Sequence, residues 1–339
     1  MDLFDSSAFE ERLLSAHADG RPVVFLVGSG LTCPTAAGNP GVASVATVTA
    51  RARDLLGTMA PASLSPGADG YQEVLRAVQG SRGPEAINRL VREAVLESCP
   101  GGPSDLRARA VRGDEAACDA LAKEPTWWAL RAGITALGEL AVLAPEIYGR
   151  VVLTTNFDPL ISVALRKAGA RFYETLLPTD LSLEQTRAEG CHVVHAHGYW
   201  SGSDTLHLPA QLEQPRPRFE ASLRRLFGQA CLVVLGYGGW ADGFTRALFN
   251  VLEDGGAFPE VLWAFYSTNE VDIRRNYASL LRRLEAGALR LRVTFYQGID
   301  SDLVLPRIVQ RLRVPAAPPP PPPTPPQTPP LSPGAPKTQ

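Results

Sequence analysis

Short apolar runs rich in β-branched and aromatic residues recur along this chain, and most end abruptly in glycine or small polar residues. The first covers residues 22–27 and stops at Gly28; later ones cover 151–155, 192–195, 231–235, 261–266 and 289–296. Compact runs of this length read as buried strands. Most are separated by segments with helical spacing, including 159–168, 243–253 and 269–285, and this alternation predicts a mainly parallel sheet with crossover helices.

The expected fold class is therefore α/β, a Rossmann-like mainly parallel sheet with flanking helices. Between about residue 50 and residue 148 the pattern is helical throughout, with Ile87, Leu90, Val91, Ala94 and Val95 on one face and Leu130, Ile134, Leu137 and Leu140 on another. That stretch reads as a helical insertion. Within it, residues 101–115 are rich in Gly, Arg and Asp, and are expected to form an exposed connection. Near the start, Ser7 and Glu10 have capping-box spacing ahead of Leu13 and Leu14, which predicts a short opening helix.

With 339 residues and 45% hydrophobic content, the chain can bury one large core or two smaller ones. A formal net charge of −2 gives no broad cationic field, so nucleic acid is not an expected partner of the domain as a whole. The acidic first residues and the lack of a long apolar run predict a cytoplasmic protein with no membrane segment. Five widely spaced cysteines, Cys33, Cys99, Cys118, Cys191 and Cys231, include no Cys-x-x-Cys pair, so free and mostly buried thiols are expected and no metal site. Residues 315–339 hold 13 prolines, including the unbroken run 318–323, and separate from a domain of residues 1–314 as a proline-rich linker or tail. Such a segment reads as a spacer to a tethered module or as a ligand for an aromatic-lined groove.

Four loops after the strand runs carry candidate chemistry. Gly28 and Gly30 bracket Ser29, where glycine lets a backbone approach a phosphate and the next helix presents its amides; a tight strand-to-helix turn explains the same residues. Cys33 stands where a full dinucleotide fingerprint would place a third glycine. Thr32 could donate to phosphate or cap a helix, and residues 38–42 form a second small-residue turn. Asp158 suits an N-cap ahead of a helix opening at Pro159, whereas Asn156 at the strand end is placed to bond a ribose hydroxyl or water. His195 and His197 share a face on an extended backbone; without acidic or cysteine company a metal pair is disfavoured, and His197 at the rim suits general base work. The last loop, Gly236-Tyr237-Gly238-Gly239, repeats the arrangement, with Asp242 able to cap the helix that follows.

This order of motifs, a glycine-rich first loop, Thr155-Asn156-Phe157-Asp158, His197-Gly198 and a late Gly-x-Gly, resembles the sirtuin superfamily, and within it the NAD-hydrolase domains of bacterial antiphage defence proteins. The resemblance spans about residues 21–296. It implies NAD as substrate, with Gly28, Ser29, Gly30 and Thr32 at the pyrophosphate, Asn156 and Asp158 by the nicotinamide ribose, His197 as the catalytic histidine, and Gly236, Tyr237 and Gly238 as further binding residues. It also implies cleavage to nicotinamide and ADP-ribose, assembly into a homo-oligomer and a tethered or separate sensor module. The residue selecting the adenosine ribose is expected near Tyr266 to Asn269. Two departures count against protein deacylation: the zinc-binding cysteine quartet is absent, and Gly238 stands where deacylases usually carry serine. A non-catalytic NAD or ADP-ribose sensor, a deacylase and an ADP-ribosyltransferase are the alternative functions.

Overall fold

The computed structural model describes residues 2–36, 38–65, 67–177, 179–183, 189–202, 205–254 and 259–314. The proline-rich segment 315–339 lies outside them. Among the described residues one sheet of eight strands organises the fold: β1 (Leu3–Phe4), β2 (Val23–Val27), β3 (Val151–Thr154), β4 (Phe172–Leu176), β5 (Cys191–His195), β6 (Cys231–Leu235), β7 (Glu260–Ala264) and β8 (Val293–Tyr296). Their order is β1-β8-β7-β6-β2-β3-β5-β4, and every pairing is parallel. The α/β, Rossmann-like expectation holds, with the sheet wholly rather than mainly parallel.

Buried on both faces, the central strands have no polar side to show. In β2, Val23, Phe25 and Val27 enter one apolar layer, and Val24 and Leu26 enter the other. Full burial of one such side chain is worth roughly 1.5–3 kcal/mol. The first layer is filled by the helices Ser6–Ala18, Ala132–Leu143, Leu160–Ala168 and Ser301–Arg313, and the second by Pro217–Gln229, Gly243–Glu253 and Ala278–Leu289. Among the described residues no helix is long and apolar enough to cross a membrane.

The chain leaves β2 for β3 on one side, travels out to β4, and returns to place β6 on the other side of β2. Carboxyl ends of β2, β3 and β6 therefore flank the point where the strand order reverses, the usual ligand crevice of an open α/β sheet. A third apolar cluster sits apart from the sheet, built by the helices Val45–Leu56, Ala68–Arg82 and Pro84–Leu96 around Val48, Leu56, Leu75, Val78, Ile87 and Leu90.

Several local expectations change. Asp5, not Ser7, caps the first helix, its Oδ1 accepting from the Ala8 amide at 2.9 Å. Residues 101–115 contain the helix Ser104–Val111, whose Ala110 packs into the core, so the stretch is more than an exposed connection. The segment 269–285 forms two helices, Glu270–Asn276 and Ala278–Leu289, broken at Tyr277. That second helix consumes the first residue of the expected 289–296 strand, and Leu291 turns the chain with φ 58° before β8. Pro159 stands just before the helix Leu160–Ala168 rather than inside it. β1 and β4 were not expected.

Candidate functional site

At the carboxyl end of the sheet, where open α/β sheets bind their ligands, lies a partly open cleft. Its lining mixes two chemistries. Loops at the strand ends bring Ser29, Thr32, Asn156, Asp158 and His197, and the helical region and the loop after β6 add Val45, Val48, Tyr71, Val91, Val95 and Trp240.

The loop after β2 turns directly into the short helix Ser29–Thr32, with Gly28 extended just before it. Of the expected binding residues, Ser29, Thr32, Gly236, Tyr237 and Gly238 line the cleft, whereas Gly28 and Gly30 do not. These two glycines serve the contact between loops. A Cβ on Gly28 would stand 2.6 Å from the Gly236 oxygen, and one on Gly30 would stand 2.8 Å from Gly236 Cα. The Gly30 amide donates to Gly236 O at 2.9 Å, so it is already used inside the protein. Gly236 itself has φ 63°, a left-handed conformation that favours glycine. Beneath this loop, the buried Arg131 guanidinium donates to the carbonyls of Gly30, Leu31 and Cys33 and pairs with Asp302 at 2.9 Å. The small-residue turn at 38–42 packs back on the same loop, Val42 N donating to Thr32 O at 2.9 Å.

Asn156 is held from three directions. Its amide donates to Thr154 Oγ1 at 3.0 Å, its side-chain Nδ2 donates to Thr32 Oγ1 at 3.1 Å, and its carbonyl accepts from His195 Nδ1 at 3.2 Å. His195 and His197 thus part company once β5 ends. His195 is fully buried behind the strand end, whereas His197 lines the cleft. Asp158 also lines the cleft; it is not the expected N-cap, since Pro159 takes that position, but its Oδ1 accepts from Leu160 N at 3.1 Å. Burial pushes its carboxyl above the ordinary range, only partly offset by the Leu160 amide, His195 and Thr32. Burial, reinforced by Asp158, likewise raises the Cys33 thiol on the cleft wall to about 11, which keeps it protonated and poorly nucleophilic.

His197 Nε2 lies 3.0 Å from Asp242 Oδ2. The same carboxylate oxygen accepts the Tyr237 hydroxyl at 2.6 Å, and Oδ1 caps the helix Gly243–Glu253 by accepting from Thr245 N at 3.0 Å. Burial alone would raise the Asp242 carboxyl, but His197, Tyr237 and Thr245 outweigh it and hold it below the usual carboxylate range. Tyr237 lines the cleft while its hydroxyl is turned inward to Asp242, which with burial keeps the phenol protonated. Asp242 reads from the sequence as a helix cap alone, because any Asp ahead of a helix does.

His207 gave no sequence signal. It lines the cleft, nearly fully buried, with Nδ1 at 2.7 Å from Tyr71 Oη and Nε2 at 2.6 Å from Thr205 Oγ1. Thr205 donates onward to Asn88 Oδ1 at 3.1 Å. The Thr205 hydroxyl must then accept from Nε2–H, so Nδ1 accepts from the tyrosine, and a neutral ring satisfies the whole chain. Burial, with help from His197, lowers its pKa to about 3. His207 is an anchor between the helical region and the cleft rather than a base.

Residues 150–286 match the family model of the SIR2-like domain. Over that segment the chain is similar to a SIR2-like domain. The matched segment contains the loops that supply Asn156, Asp158, His197 and Tyr237, while the loop at 28–32 precedes it. A comparison with curated proteins gave no match. The SIR2-like domain suggests an NAD-related activity, and the cleft brings hydroxyl, amide, imidazole and carboxyl groups together with apolar surface. Among the described residues no group of three or more His, Cys, Asp or Glu side chains is arranged to hold a metal ion.

Proposed function

We propose that this domain hydrolyses NAD at the nicotinamide N-glycosidic bond, releasing nicotinamide and ADP-ribose, and that it serves as the effector of a bacterial antiphage system. The observation that carries the reading is that Asn156 and His197, 41 positions apart in sequence, line one cleft just beyond the ends of adjacent β3 and β5. Nicotinamide leaves as a neutral molecule from a cationic glycoside, so it needs no proton from the protein. What remains is to hold the ribose and deprotonate water.

In this scheme Asn156 orients the ribose or the attacking water, His197 takes the proton, and Asp158 on the cleft wall supports positive charge developing at the sugar. Ser29 and Thr32 stand at the pyrophosphate end of the cleft. Because uncontrolled NAD loss would kill the host cell, activity is expected only in an assembled state gated by a sensor module.

Nicotinamide release measured over a protein concentration series, with Asn156→Ala and His197→Ala alongside, tests this reading. Loss of the base should lower turnover about 100-fold to 10,000-fold. Folded variants with wild-type rates would refute the assignment. Thermal stabilisation by NAD with no release at any concentration would favour a sensing module.

A further inference from the structure

One buried carboxylate faces the proposed base and has no part yet in the chemistry. We propose that Asp242 is a positioning residue: by accepting from Nε2–H it fixes the His197 tautomer and leaves the ring's lone pair on Nδ1, the atom that receives the proton. The inference rests on the hydrolase reading for its kinetic consequence, but not for its structural one.

Each contact constrains the others. Asp242 is 3% exposed, and both of its oxygens are committed: Oδ1 to Thr245 N, Oδ2 to His197 Nε2 and Tyr237 Oη. An ionised carboxylate only accepts, so a neutral His197 facing it must carry its proton on Nε2. The tyrosine hydroxyl adds a second donor to the same oxygen and ties it to the loop after β6. Asp242 sits at the start of a helix of eleven residues, so the carboxylate is anchored to regular structure rather than to a mobile side chain. The arrangement has the logic of an acid-oriented histidine base, here assembled from the loops after β5 and β6.

During turnover the C–N glycosidic bond breaks and its electron pair stays on the nicotinamide nitrogen. The water oxygen forms the new bond to the ribose carbon, and the water's proton passes to Nδ1. His197 becomes an imidazolium, with Asp242 beside it to balance the charge; release of that proton to solvent restores the site. Atoms and charge balance without any further reactant.

Asp242→Asn separates the tautomer role from the cap. The amide oxygen must stay against Thr245 N, which needs an acceptor, so the amide nitrogen takes the place of Oδ2. It then donates to Nε2 and forces His197 to the Nδ1–H tautomer, with no lone pair left for the proton. The chain has five histidines. In histidine-15N-labelled full-length protein, multiple-bond proton–nitrogen correlation reads each tautomer, and loss of one pattern in His197→Gln assigns the ring.

The expected result is Nε2–H in the wild type, Nδ1–H in Asp242→Asn, and a kcat about 100-fold to 10,000-fold lower with unchanged KM for NAD. A wild-type Nδ1–H ring, or an Asp242→Asn variant with wild-type kcat, overturns the proposal. The wild-type spectrum alone decides the first point if the variant does not fold. A tautomer switch in a protein that never releases nicotinamide supports the positioning role and overturns the hydrolase reading instead.

Discussion

Replacing Arg131 by methionine should loosen the first loop of the cleft while sparing the sheet. The guanidinium is 4% exposed and bonds three backbone carbonyls, those of Gly30, Leu31 and Cys33, as well as Asp302. Methionine keeps most of the apolar stem and removes every donor. Only the Leu31 bond is fully buried; Gly30 and Cys33 lie nearer solvent, and the Asp302 side chain is 23% exposed and also accepts from Gly133 N. Water can therefore reach part of what is orphaned, but the inner carbonyl cannot be rehydrated without moving the loop. A buried unpaired acceptor costs about 1–3 kcal/mol, and removing one partner of a buried ion pair costs about 3–5 kcal/mol. Solvent access at Asp302 screens away most of the ion-pair cost, which leaves a total of about 3 kcal/mol. At about 2 °C per kcal/mol for a chain this size, the melting temperature should fall by roughly 6 °C. NAD should stabilise the variant less than the wild type, because Ser29 and Thr32 ride on the same loop. Differential scanning calorimetry with and without NAD measures both quantities. An Arg131→Met protein with wild-type melting temperature and wild-type response to NAD would show that the arginine does not hold this loop.

Gly30→Ala introduces a Cβ 2.8 Å from Gly236 Cα and 3.1 Å from its oxygen, so the two loops must part at a cost of about 1–3 kcal/mol; an unchanged urea midpoint refutes the close approach. Leu291 has φ 58° and is 90% exposed, so Leu291→Gly relieves left-handed strain without losing packing and should gain about 0.5–1 kcal/mol. A loss of stability contradicts that reading. Burial lowers His207 to about 3 and His192 to about 4. Both rings are neutral when folded and bind protons near pH 6.5 when unfolded, so stability is fully present above about 6.5 and declines as pH falls toward 4, by about 1.4 kcal/mol per pH unit for each ring. A urea midpoint that stays flat across that window would show that neither ring is held neutral.

The strand runs were legible because parallel strands are buried on both faces and read as continuous apolar stretches. β2 and β6 are VVFLV and CLVVL, and their bounds lie within one residue of those expected. β4 escaped because it is an edge strand, partly exposed and interrupted by Glu174, and β1 because two residues carry no period. Among the residues lining the cleft, Asn156, Asp158 and His197 could be picked out because each follows a strand, and strand ends are where an α/β sheet exposes its chemistry. The roles of Gly28 and Gly30 could not be separated: a glycine that admits a phosphate and a glycine that admits another loop look alike until Gly236 is seen against them.

By itself the sequence determined most of the central strands, their parallel character and the end of the sheet that carries the polar loops, because periodicity and turn chemistry are local properties of the chain. Tertiary structure alone decided the partners. His197 meets Asp242 from 45 positions away, His207 meets Tyr71 from 136 away, and Arg131 reaches the first loop across about a hundred residues. Such pairings depend on strand order and helix docking, and those follow from how all the apolar faces are buried together rather than from any local pattern. Which nitrogen of a histidine holds the proton is the finest case, since it turns on a single hydrogen bond to a side chain brought in by the fold.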